Sequence, residues 1–141
     1  MGRLNDIVNI YVNSMNDAIS SGILASFKGH KVKFGKPTNE VLEIPYLETY
    51  IKPTITESAN NLEYDMEIEV KTRIYSACTD NYKNSSGGAF IDYENVVNVI
   101  QQIDFQSAYI KSIQVTDSLE QETWIMQEIQ VLLVTVPFDE L

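Results

Sequence analysis

The chain has 141 residues, 44% of them hydrophobic and 21% charged, which is ordinary globular usage and enough for a core that needs no disulfide or metal. Ten basic against twenty acidic residues give a formal charge of −10, the wrong sign for a general nucleic-acid binder that gains affinity by displacing phosphate counterions. The longest apolar run, Val131 to Val134, is far below the roughly 20 residues of a membrane-spanning helix, and the single cysteine, Cys78, excludes an internal disulfide and a cysteine-based zinc site. Arg3, Asp6 and interspersed Asn break up the N-terminal apolar residues, so no signal-peptide core is expected. The expectation is one soluble domain made in a reducing cytoplasm.

The first element is an amphipathic helix. Leu4, Ile7, Val8, Tyr11, Met15, Ala18 and Ile19 follow the i, i+3, i+4, i+7 spacing over about residues 3 to 21, and Ser20-Ser21-Gly22 supplies its end. Its polar face carries Asn and Asp instead of Lys and Arg, which predicts packing on a core and not on a membrane surface. Residues 27 to 58 read as short strands broken by turns: Lys31 to Phe34 alternates, Gly35-Lys36-Pro37 turns, and Val41 to Ile44 alternates again. The stretch Tyr46 to Thr56, interrupted by Pro53, is expected as an edge strand or an extended arm.

From Glu63 to Ser76 the period is two. Tyr64, Met66, Ile68, Val70, Thr72, Ile74 and Ser76 share one face, and Glu63, Asp65, Glu67, Glu69, Lys71, Arg73 and Tyr75 share the other, as in a long strand with one face on a core and one on water or a partner. A polar loop follows over Thr79 to Gly88. Asp92 offers an N-cap to a second helix striped by Tyr93, Val96, Val97, Ile100 and Ile103. Two strands end the chain, Ala108 to Thr116 and Glu122 to Val136, with the turn of a hairpin expected at Asp117 to Gln121. The last strand becomes apolar on both faces at Val131-Leu132-Leu133-Val134, so its end is expected to be central or covered. The order predicts an α+β fold: a largely antiparallel β-sheet with two helices packed on one face.

The residues do not point to an enzyme. His30 is the only histidine, expected as a solvated side chain in the lysine-rich turn Lys28 to Lys36, and no Gly-x-Ser-x-Gly, Walker A or Gly-x-Gly-x-x-Gly pattern occurs. Cys78 has only Asp80 as a charged neighbour, which raises a thiol's pKa. The carboxylates Glu63, Asp65, Glu67 and Glu69 share a strand face, but a strand splays its ligands about 7 Å apart, unlike a loop that wraps a cation. No metal and no cofactor is expected. Four like charges in a row do cost energy unless they meet water or a basic surface.

Charge is uneven along the chain. Residues 1 to 83 hold nine basic and eleven acidic residues, while residues 84 to 141 hold Lys111 alone against nine acids, nets of −2 and −8. Lys28, Lys31, Lys33 and Lys36 have no acid among them. Such patches would face each other between copies in a head-to-tail ring, although edge lysines also serve simply to prevent aggregation.

The succession of an amphipathic helix (Leu4 to Ile19), a long alternating strand ending Val70-Lys71-Thr72-Arg73-Ile74-Tyr75-Ser76, a polar excursion, the helix Tyr93 to Ile103 and a terminal hairpin (Ile110 to Val115, Trp124 to Val136) resembles the tail-terminator, or tail-completion, family of long-tailed bacteriophages. The likeness is one of element order and carries no residue role over by position. It implies a non-enzymatic virion protein, assembled in the bacterial host cytoplasm and located at the tail–neck junction. There it would form a ring, typically a homohexamer, on the tail-tube protein, halting polymerisation and offering a surface to neck or connector proteins; in contractile tails it would also cap the sheath. DNA would pass through the ring without specific binding. Residues 45–61 are longer than the compact pattern needs and would be an arm or loop on a single domain spanning 1–141.

On this reading Glu63, Asp65, Glu67 and Glu69, or the acidic C-terminal half, would line a DNA-repelling channel. Lys28, Lys31, Lys33 and Lys36 would meet a neighbouring subunit. The loop from Thr79 to Phe90 would touch tube or neck through Tyr82 and Phe90. The alternatives are another neck protein, such as a head–tail connector or stopper, and a small α+β ligand-binding module or enzyme, which would show a defined pocket.

Overall fold

The computed structural model describes residues 3–24, 27–34, 44–55, 66–77, 89–106, 108–121 and 124–135. Its elements run α1 (Arg3–Ser20), β1 (His30–Phe34), β2 (Tyr46–Ile55), β3 (Met66–Ala77), α2 (Ala89–Gln101), β4 (Ala108–Glu120) and β5 (Trp124–Thr135). The strands form one sheet in the order β1-β2-β3-β5-β4. Only β1 with β2 is parallel; every other pairing is antiparallel. The fold is therefore α+β, as the sequence predicts.

Strand alternation assigns the two faces. Leu47, Thr49 and Ile51 of β2 stand level with Ile74, Thr72 and Val70 of β3, and these with Gln127, Ile129 and Val131 of β5. Both helices cover this face. The stripe Ile7, Tyr11, Met15 and Ala18 of α1, together with Val96 and Ile100 of α2, joins Leu47, Ile68, Val70, Ile74, Ile129, Val131 and Leu133 in one buried cluster. After α1 the chain reverses at Gly22, whose φ of 97° suits a residue without a Cβ. The N–H of Leu24 then returns to the Ala18 carbonyl at 2.9 Å, which folds Leu24 into the core.

Several boundaries differ from the sequence reading. Residues 46–55 are not an arm but the second strand of the sheet, held by β3 along their whole length and by β1 over Leu47–Ile51, so that among the described residues only the stretch past Ile51 is an edge. Pro53 falls beyond Ile51, where β1 has ended, so its missing N–H removes no bond to that strand. Asp92 is not the N-cap of α2: the helix begins at Ala89, and Asp92 is fully buried inside its first turn. The hairpin turn lies after Glu120, not over Asp117–Gln121, because β4 continues through two bulges, between Ile110 and Ser112 and between Val115 and Asp117. Each bulge inserts an unpaired residue and resets the alternation, so Asp117-Ser118 looks like a turn while remaining strand. As expected, β5 is central, lying between β3 and β4. The segment Val41–Glu43, residues 56–65 and Cys78–Gly88 lie outside the described residues.

Candidate functional surfaces

The face of the sheet opposite the helices is built as cross-strand rows. One row runs Glu48, Arg73, Glu128 and Asp117; the next runs Tyr46, Tyr75, Met126 and Leu119. Arg73 thus has a glutamate directly opposite on each side, the favourable cross-strand arrangement. Its Nε donates to Glu128 Oε2 at 2.8 Å, and its guanidinium lies 5.5 Å from the Tyr50 ring centroid. Burial alone would lower the Arg73 pKa, but the hydrogen bonds to Glu128 and Tyr75 and the Glu128 charge outweigh it and raise the pKa.

Glu128 also accepts from Thr116 Oγ1 at 3.0 Å, and Lys71 Nζ stands 3.8 Å away. Tyr50 donates its hydroxyl proton to Glu48. In the next row Tyr46 and Tyr75 stack at 4.5 Å between centroids, and Trp124 tilts against Tyr75 at 5.6 Å. These groups satisfy one another. The face is a cross-linked lattice of partnered charges and stacked rings.

On the helix face a hydrogen-bonded chain links α1 to three strands. Tyr11 OH lies 2.5 Å from Thr72 Oγ1, which is 3.1 Å from Thr49 Oγ1, which is 2.6 Å from His30 Nε2; His30 Nδ1 is 3.0 Å from Asn16 Oδ1. Because Asn16 Oδ1 can only accept, Nδ1 carries the proton, and each hydroxyl in turn donates toward Nε2. His30 is thus not a solvated turn residue. It opens β1, and its desolvated ring has a pKa pushed down to about 4, so it is neutral at pH 7. The Tyr11 hydroxyl, fully buried, is pushed well above its ordinary range by desolvation.

Two open surfaces stand out among the described residues. The outer sides of α1 and α2 flank a groove of about 470 Å³ whose lining mixes Ser14, Asp17, Asn95 and Asn98 with Ile23 and Val99; it is open and no lysine or arginine lines it. The other is β4, an edge strand exposed along nearly all of its length. Four large apolar side chains are exposed among the described residues, Ile23, Tyr109, Val115 and Leu119, and three of them stand on β4.

The residues singled out in the sequence are distributed as follows. Glu67 pairs with Lys111 at 3.2 Å. Glu69 stands 3.9 Å from Lys71 and accepts from Gln130 at 2.7 Å. These two carboxylates meet cations and an amide within the sheet, where the sequence had left them facing water or a partner. Lys31 lies over the Tyr46 ring at 5.2 Å, Lys28 is exposed before β1, and Lys33 is on β1; Lys28 to Lys36 is accordingly not one turn. Phe90 belongs to the first turn of α2. Glu63, Asp65, Lys36 and Tyr82 lie outside the described residues.

Among the described residues no group of three His, Cys, Asp or Glu side chains could hold a metal ion, and no helix is long and apolar enough to cross a membrane. The Arg73–Glu128 pair and the Tyr11-to-Asn16 chain were not visible as sites in the sequence. The one available signal was Glu128, which lies four residues on from Trp124 and shortly before the apolar run of β5, in a strand where burial demands a cation across the ladder. No family model matches this sequence, and no curated protein matches it.

Proposed function

We propose that this chain is a structural protein of a long-tailed phage virion, a tail terminator that forms a ring on the end of the tail tube, stops its growth and presents the joining surface for the head. The observation that carries this reading is the element order: α1, the long alternating β3, α2 on the same face, and a closing β4–β5 hairpin, all in one sheet. That is the order on which the resemblance rests. The acid-rich residues 84–141 support a channel role: six copies of the chain would carry about −60, which keeps DNA from adhering to a lumen.

The test is to add the purified protein to growing tail tubes and to follow tube length and end structure by electron microscopy. Tubes that stop elongating and carry a ring at one end are the expected result. Unaltered elongation, or binding to the portal-side assembly instead of the tube, would move the protein to the connector class.

A further inference from the structure

The β4 edge is complementary to itself. Antiparallel strands place residues i and j opposite when i + j is constant, and opposite residues share a face. Suppose a second copy's β4 lies antiparallel along this edge with Gln114 facing Gln114. Lys111 then stands opposite Asp117 and Asp117 opposite Lys111, giving two ion pairs from one register. Tyr109 meets Leu119 twice, and Val115 meets Ile113 twice, so all three exposed apolar residues of β4 find apolar partners.

The faces agree as well. Tyr109 and Leu119 are level with Val134 and Met126, both on the sheet face away from the helices, whereas Ile113 and Val115 are level with Val131 and Ile129 on the helix face. Lys111 reaches toward Glu67 and Asp117 is level with Glu128, which puts that pair on the first of these faces. The axis falls within Ser112–Val115, the regular segment between the two bulges. The register with β5 is unbroken there, so backbone pairing along the free edge is centred on that segment, and the outer pairs meet through side chains.

We propose that β4 is an isologous interface, the site at which a second copy of this chain continues the sheet across a two-fold axis at Gln114. The result is a ten-stranded sheet with the helices of both copies on one side. The interface does not depend on the ring. A two-fold contact closes on itself, so a ring needs a separate head-to-tail surface, and a ring that also used β4 would pair with a second ring.

The experiment combines light scattering after size exclusion with register-specific crosslinking. In a Cys78→Ser background, which removes the one native thiol, Gln114→Cys places two thiols across the axis, at the roughly 5 Å Cβ separation of opposed residues, close to disulfide geometry. Lys111→Cys is the control: six residues of strand separate it from its own copy, about 20 Å. A dimer, or an even-numbered assembly, that oxidises to a crosslinked pair at 114 and not at 111 is expected. Leu119→Lys, a change at an exposed site that occurs twice in the interface, should weaken association by roughly a hundredfold with an unchanged circular dichroism spectrum. The unmodified chain remaining a monomer at all concentrations would overturn the proposal. So would crosslinking at 111 in preference to 114, or a ring that forms while Gln114→Cys stays reduced; that last result would leave the ring reading intact.

Discussion

The neutral state of His30 has a consequence that pH can read. In the unfolded chain a histidine titrates near 6.5, whereas in the fold burial holds His30 near 4. Between those values the unfolded state binds the extra proton, so stability is full above pH 6.5 and falls as pH drops toward 4, by up to roughly 3 kcal/mol. Urea midpoints measured from pH 7.5 down to 4.5 should show this decline. His30→Gln, which keeps hydrogen bonding to Asn16 or Thr49 without titrating, should flatten it; an equal slope in the variant would mean that carboxylates elsewhere cause the loss. Arg73 has a different weight. Arg73→Met leaves the Glu128 carboxylate, 7% exposed, with the Thr116 hydroxyl at 3.0 Å and Lys71 at 3.8 Å as its nearest cation, and should cost about 3 kcal/mol. The double variant Arg73→Met/Glu128→Met should recover most of that, since two well-packed apolar side chains can replace a buried pair. Simple additivity of the two single changes in urea melts would show that the pair is not coupled.

Helix α2 is pinned at its first turn. Ser76 Oγ donates to Asp92 Oδ2 at 2.6 Å, with both side chains fully buried. Asp92→Ala strands that hydroxyl and should cost about 2 kcal/mol, Asp92→Asn less than about 1, because the amide oxygen still accepts. Hydrogen exchange should show α2 amides losing protection in Asp92→Ala while those of α1 keep theirs; uniform loss would mean that α2 does not open as a separate unit. The same residue marks how far sequence reasoning reaches. Asp92 looks like a cap because Asp before an apolar stripe usually is one, yet its i, i+4, i+8 spacing with Val96 and Ile100 puts it on the buried stripe. The helices and β3 were readable because each keeps one period throughout. The extent of β4 was not, because its bulges break the period, and β2 was obscured by a proline that sits past the end of its neighbour. Arg73 and Glu128 are 55 residues apart in sequence, and only the strand register unites them. The acidic face at Glu67 and Glu69 was correctly located, but its cations, Lys71 and Lys111, were not assignable without that register.

At the scale of the whole molecule the charge of −10 opposes any association of identical copies, and its range decides how salt acts. Two such charges at about 30 Å, twice the expected radius of gyration, repel by roughly 14 kcal/mol in pure water. With a Debye length of about 30 Å at 0.01 M salt a few kcal/mol of that survives, and with about 8 Å at 0.15 M almost none does. The two Lys111–Asp117 pairs at the β4 interface pull the other way, but exposed pairs contribute only about 0.2–1 kcal/mol each. Repulsion therefore dominates at low ionic strength, while the contacts of Tyr109, Val115 and Leu119 are indifferent or gain as salt is added. Dimerisation should tighten roughly tenfold or more as sodium chloride is raised from 0.01 to 0.3 M. Sedimentation velocity at fixed protein concentration would read the change directly. Weakening with salt would instead mean that opposite charges hold the copies together, which is the behaviour of a head-to-tail contact between the lysines at 28–33 and the acidic half of a neighbour.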